Sequence, residues 1–210
     1  MRHIKQYIFT ILAFSAPIQA KTLVLENNIF DQVSIEKSIG ISAWRKVLRN
    51  DVYVKSQVSD YEIKKIKNQK LFFYIAGLHP KDCRFALRKL AHYESYSKHL
   101  GFIKNSSYDE KSQRVNFLLS SLLLPYDMSL NFKIPRIKSP GIYPFKFDQG
   151  FLSGLHGNIV TINYKNRCLF YTTASWEGPH SDIPNTVFEF FSKALAQLAM
   201  ENLFRISSTY

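Results

Sequence analysis

Beyond its first twenty residues, this 210-residue chain offers five histidines and two cysteines for chemistry, besides its acids and lysines. His79, His92, His99, His156 and His180 do not fall at a metal-binding spacing, and Cys83 and Cys168 stand too far apart for a zinc set. The chain contains no P-loop, no dinucleotide glycine fingerprint and no Gly-x-Ser-x-Gly elbow. The expectation is therefore no metal, no cofactor and no catalytic residue. His180, beside Trp176 and Glu177, reads either as the rim of a pocket or as a solvated loop residue, and His156 reads as a turn residue. An acid–base enzyme would need a titratable group aimed inward. Asp127 and Lys133 both fall on the outward side of the most cleanly alternating segment. Trp176 reads as a core aromatic or as a ligand contact.

The segment Asp182 to Phe204 organises the rest. Val187, Phe188, Phe191, Leu195, Leu198 and Ala199 recur at helical spacing, and Phe190 and Phe204 widen the stripe. Asp182 suits an N-cap with Pro184 in the first turn, and Thr186 with Glu189 offers an alternative capping box. A helix this apolar needs a concave surface to lie in, and the preceding residues supply strands. Leu71 to Gly77 is rich in β-formers. Short helical patterns follow around Phe85 to Leu90 and Tyr93 to Leu100. Strands are then predicted over 102–107, 114–124, 126–137, 142–147, 157–164 and 168–176. Met128, Leu130, Phe132 and Ile134 share one side, as do Tyr143, Phe145 and Phe147, and Cys168, Phe170, Thr172, Ala174 and Trp176. Lys165 to Arg167 marks a tight hairpin. No strand–helix alternation calls for a parallel sheet.

The first residues carry a different signal. Arg2 and Lys5 precede a short apolar run, Tyr7 to Ala16, and then Pro17 and Ala20. Residues 1–20 read as a secretory signal peptide cleaved between Ala20 and Lys21, which predicts a periplasmic or secreted protein. Residues 21–70 read as an N-terminal extension. It holds a helix over Glu36 to Leu48, weakened at Gly40, and a strand over Asp51 to Val58. Lysine-rich Asp60 to Lys70 reads as a hairpin connection or a short helical turn. The formal charge of +12 falls to +10 without Arg2 and Lys5. For an exported chain this excess points to anionic membrane surfaces, cell-wall polymers or plain solubility, and away from nucleic acid.

With Leu71 to Ala76, the run Leu87-Arg88-Lys89-Leu90-Ala91-His92-Tyr93-Glu94-Ser95-Tyr96 and Ile183-Pro184-Asn185 in this order, the chain resembles the START-like superfamily. The group is also called SRPBCC, and the likeness is to its Bet v 1-like, polyketide-cyclase and Coq10-like branch, over roughly 71–207. The resemblance implies an α+β helix-grip fold for 71–210: a curved antiparallel β-sheet wrapped around a long C-terminal α-helix. It also implies a cavity between the two for a sterol, quinone, phospholipid or other apolar ligand. The superfamily has no universal catalytic signature to carry over. Cavity candidates are Met128, Leu130, Phe132, Tyr143, Phe145, Ala174, Trp176, Phe188 and Phe191, with the void expected near the loop from Trp176 to His180. In the same fold Leu71 to Ala76 would pair with Cys168 to Trp176, which brings Cys83 near Cys168. A disulfide follows, with two buried thiols as the alternative. Three functions remain open: an exported binding or carrier protein for a hydrophobic small molecule or lipid, an envelope interaction or structural protein using its basic surface, and a cyclase- or dehydratase-type enzyme.

Overall fold

The computed structural model describes residues 32–122, 124 and 126–208. The signal-peptide reading, its Ala20/Lys21 boundary and Pro125 lie outside the described residues. Two short helices come first, α1 (Gln32–Ile39) and α2 (Ile41–Leu48). They replace the single helix expected from Glu36 to Leu48. Gly40 sits between them at φ 83, a conformation that costs glycine little and other residues more.

Eight antiparallel strands form one sheet: β1 (Tyr53–Ile63), β2 (Ile66–His79), β3 (Ile103–Asp109), β4 (Arg114–Leu119), β5 (Met128–Lys133), β6 (Gly141–Gly150), β7 (His156–Tyr164) and β8 (Arg167–Pro179). Their spatial order is β1-β2-β8-β7-β6-β5-β4-β3. Between β2 and β3 in the chain lie α3 (Cys83–Leu90) and a 3-10 turn, Tyr93–Lys98. The last helix, α4, runs from Asn185 to Ser208. This is the helix-grip α+β architecture.

The hairpin β1–β2 settles the lysine-rich segment. Lys64 and Lys65 both take positive φ, 51 and 65, and Ile63 faces Ile66 across a two-residue turn. Such turns match the twist of the flanking strands. β1 thus belongs to the sheet, which begins at Tyr53 rather than near Leu71. The predicted strands 114–124 and 126–137 are shorter than expected, ending at Leu119 and Lys133.

Alternation along β2 divides its residues between two helical layers. Leu71, Phe73, Ile75, Gly77 and His79 face α4, while Ala76 and Leu78 pack outward with Ile35, Trp44 and Val47 of α1 and α2. The helix on the inner side can lie close only because Gly77 lacks a side chain. A Cβ there would stand 2.6 Å from Met200 Sδ and 2.9 Å from the Phe204 ring. The outer helices bury the convex face of β2, β8 and β7 by contributing Ile35, Ile39, Ala43, Trp44 and Val47.

The start of α4 departs from the capping expected of it. Asp182 has φ 59 and an exposed side chain, three residues before the helix. The carbonyl of Pro184 accepts the first helical bond, from the Phe188 amide at 2.9 Å. Glu189 does not close a capping box; its carboxylate accepts from the Val58 amide on the edge strand β1 at 2.6 Å. That contact satisfies an edge N–H no strand pairs. Phe188, Phe191 and Leu195 are buried, while Val187, Phe190 and Leu198 are exposed, so the buried stripe is narrower than the apolar one.

A disulfide joins Cys83 to Cys168, across a sequence separation of 85, with Cα atoms 4.5 Å apart. It ties the first turn of α3 to the start of β8. Both cysteines are fully buried, beside Ala86, Leu87, Val115 and Ile134.

Candidate functional site

Two apolar cavities lie between the sheet and α4. The first, of about 230 Å³, sits under the N-terminal half of the helix, where Phe188, Phe191 and Leu195 face Leu71, Met128 and Ala174. The second, of about 250 Å³, sits under the C-terminal half, where Ala196, Met200 and Phe204 face Ile75, Phe170 and Leu87. Phe73 on β2 is a wall of both. Each volume falls just below the roughly 300 Å³ at which small-molecule sites begin, and the two joined would exceed it.

Of the nine residues expected to line a cavity, Met128, Leu130, Phe145, Ala174, Phe188 and Phe191 stand in the wall of the first. The other three stand elsewhere. Phe132 is one layer back, stacked on Phe147 with ring centroids 4.7 Å apart. Trp176 packs against Phe188 at 6.1 Å, donates its indole N–H to the Ser153 carbonyl, and borders an outer groove. Tyr143 donates its hydroxyl to the Ser139 carbonyl at 2.7 Å and belongs to neither wall. All three obey the predicted alternation. What differs is their position along the strand, which decides whether an inward residue meets the helix, another strand or a void.

Among the described residues, neither wall contains a carboxylate, an imidazole or an amine. Three of the hydroxyls present are engaged. Ser192 shares a 2.8 Å hydrogen bond with Ser56. Tyr96 donates to the Leu90 carbonyl at 2.7 Å, and Tyr93 donates to the Pro135 carbonyl at 3.0 Å. Burial holds both phenols above the usual range, so they remain neutral donors. Asp127 is exposed, and Lys133 lies 3.9 Å from Asp148 on the sheet's outer side.

Two buried polar residues fasten α4 over the cavities. Gln69 donates to the Ile183 carbonyl at 3.1 Å and to Asn185 Oδ1 at 2.7 Å, and accepts from the Ser181 hydroxyl at 2.6 Å. His79 holds the other end through Ser207 Oγ, 2.9 Å from its Nε2. The Lys81 amide donates to His79 Nδ1 at 3.0 Å, which leaves the proton on Nε2. His79 therefore donates to Ser207, and Ser207 donates to the Leu203 carbonyl at 2.6 Å. This polarity is the reverse of a serine activated by a histidine base. The pair is a clamp. Gln69 was not singled out in sequence, and His79 was considered there only as a metal ligand; a Gln and a His at inward positions of an apolar strand are the signal of satisfied buried groups.

Burial lowers the His79 pKa, against the opposing pull of the Lys81 backbone. The unfolded chain binds a proton near pH 6.5, and the folded chain only below that. Stability is therefore full above pH 6.5 and falls as acid is added from there toward the lower folded value. Urea midpoints from pH 7.5 to 5 should decline in the wild type and decline less in His79→Asn. Parallel profiles would mean that His79 does not set the acid limb.

No family model and no curated protein sequence matches this chain. Solved structures do. The chain is similar to TTHA0849 from Thermus thermophilus, with a TM-score of 0.55 at 9% identity, over 65% of this chain and 98% of that one. It is similar to the Zhui aromatase/cyclase from Streptomyces sp. R1128, at 0.55 and 7%, over 66% and 94%. A START superfamily protein from Mycobacterium smegmatis gives 0.53 and 6%, over 65% and 97%. Identities this low speak for the fold alone.

Proposed function

We propose, on the premise that the chain has the START-like helix-grip fold, that it is an exported binding or carrier protein for a hydrophobic small molecule or lipid held between the sheet and α4. The observation that carries this reading is the pair of apolar cavities that share a wall residue, Phe73. A rotamer change of Phe73 that joined them would give a volume suited to a ligand. Export is supported by the pattern of residues 1–20 and is consistent with the Cys83–Cys168 bond, since disulfides persist in oxidising compartments.

Organic extraction of the purified protein followed by mass spectrometry should release an apolar compound, and an uncharged environment-sensitive fluorophore should bind it. Ala174→Phe places a phenyl ring in the first cavity. It should weaken fluorophore binding tenfold or more while costing at most about 1–3 kcal/mol of stability. Full affinity in a folded Ala174→Phe variant would remove the first cavity from the ligand site.

A second reading, an envelope interaction protein, draws on the basic charge. At the β1–β2 tip Ile63 and Ile66 are exposed beside Lys64, Lys65 and Lys67, a composition suited to an anionic membrane surface. Vesicle binding that persists in Ala174→Phe, with no extractable ligand, would favour it. A cyclase- or dehydratase-type enzyme is the reading the cavity walls support least, because among the described residues they hold no carboxylate, imidazole or amine.

A further inference from the structure

We infer that the ligand is an anionic amphiphile with a single alkyl chain, its acid group in a surface groove at the C-terminal end of α4 and its chain in the second cavity. The inference rests on the carrier reading above and adds the ligand's class and orientation. The groove has a volume of about 690 Å³. Leu90, Tyr96 and Leu203 line both the groove and the second cavity, so the two spaces lie back to back across three side chains.

Charge separates the two spaces. The groove is bordered by Arg88 and Lys89, from the last turn of α3, and by Lys98 and His99, from the end of the 3-10 turn. Among the described residues its one carboxylate, Glu94, faces the Arg136 guanidinium at 3.0 Å and His92 at 3.3 Å, which leaves the charges of Arg88 and Lys98 to the groove. The cavity behind offers an anion no cation, and the Tyr93 and Tyr96 hydroxyls in its wall already donate to backbone carbonyls. Moving a carboxylate or phosphate into it would strip water and return at most the single hydroxyl of Thr172. An acid group left in the groove keeps its water and gains cations, while its chain passes Leu203 into apolar surroundings. A neutral chain of equal length would gain only the second part. The small volume behind the partition suits one chain rather than two.

Binding of three probes to the full exported chain tests this: dodecanoate, lauroyl lysophosphatidate and dodecanol, each displacing the uncharged fluorophore at low salt. At least one acid should bind about tenfold more tightly than dodecanol, the scale of one hydrogen bond to a charged group. Preference for dodecanoate identifies a free acid, and binding of lysophosphatidate alone identifies a lipid headgroup. The advantage should shrink at high salt, because the rim is exposed. Arg88→Gln with Lys98→Gln, both on the surface, should bring acid and alcohol within about twofold of each other. If dodecanol binds as well as either acid, or the double variant keeps the preference, the orientation is overturned and the carrier reading stands. If the fluorophore itself fails to bind, the carrier reading falls and this inference with it.

Discussion

Breaking the bond between Cys83 and Cys168 is expected to remove about 4 kcal/mol of stability, one of the two largest effects of any change in this chain. The bond closes a loop with a sequence separation of 85, which contains the 3-10 turn and strands β3 to β7. In the chain-entropy account, a loop of that length restricts the unfolded ensemble by somewhat under the ~4.7 kcal/mol of a hundred-residue loop. The bond joins segments that already meet, because the residues leading into α3 are held to β8: the Cys168 amide donates to the Lys81 carbonyl at 2.9 Å. Total stability of a domain this size is about 5–15 kcal/mol, so the reduced protein should unfold at markedly lower urea. Midpoints of Cys83→Ala/Cys168→Ala and of the reduced wild type, compared with the oxidised wild type, measure the effect. A loss under about 1 kcal/mol, well short of the range for native disulfides, would show that the unfolded chain is held together by other means.

Phe188→Ala is expected to cost about 3–5 kcal/mol. Phe188 is fully buried, stacks on Phe191 at 5.2 Å, and meets Phe151 at 5.8 Å and Trp176 at 6.1 Å. It also borders the first cavity, so its removal enlarges a void rather than leaving a gap that neighbours can fill. The cost should therefore sit toward the upper part of that range. Phe190, two positions on and 62% exposed, is the control: Phe190→Ala should stay within about 0.5 kcal/mol of wild type. Equal losses at both positions in urea denaturation would contradict the placement of α4.

The strand alternation was legible because its physical cause is local. Tyr143, Phe145 and Phe147 share a side by pleat alone, and Cys168 to Trp176 likewise, so inner and outer faces followed from the residue order. The disulfide followed from the pairing that the family resemblance implied, and the register places His79 opposite Cys168. Other features depend on distant partners. The two-residue turn at Lys64–Lys65 lacks the Asn-Gly signature, and only the long pairing of Tyr53–Ile63 with Ile66–Ala76 explains it. Glu189 read in sequence as the closing residue of a capping box with Thr186; the edge amide of Val58 takes its carboxylate instead. Val187 and Leu198 sit at helical spacing with the buried residues, yet α4 is apolar on most sides, and periodicity then cannot pick the side that touches the sheet. The second cavity and its basic rim were not legible, because they join residues from α3, the 3-10 turn and α4 that no spacing connects.

The two clamps on α4 also fix a length. Gln69 and His79 lie on one strand ten residues apart, a span of about 33 Å at the rise of an extended chain. Their partners, Asn185 and Ser207, lie 22 residues apart on the helix, also about 33 Å at helical rise. Strand and helix are thus two rulers graduated differently and cut to match. One residue inserted between Asn185 and Ser207 would turn Ser207 by about 100° away from His79. A two-residue deletion in β2 would leave the helix overhanging by more than a turn. Loops elsewhere can grow or shrink freely, but these two elements can only change length together, at a little over two helical residues for each strand residue.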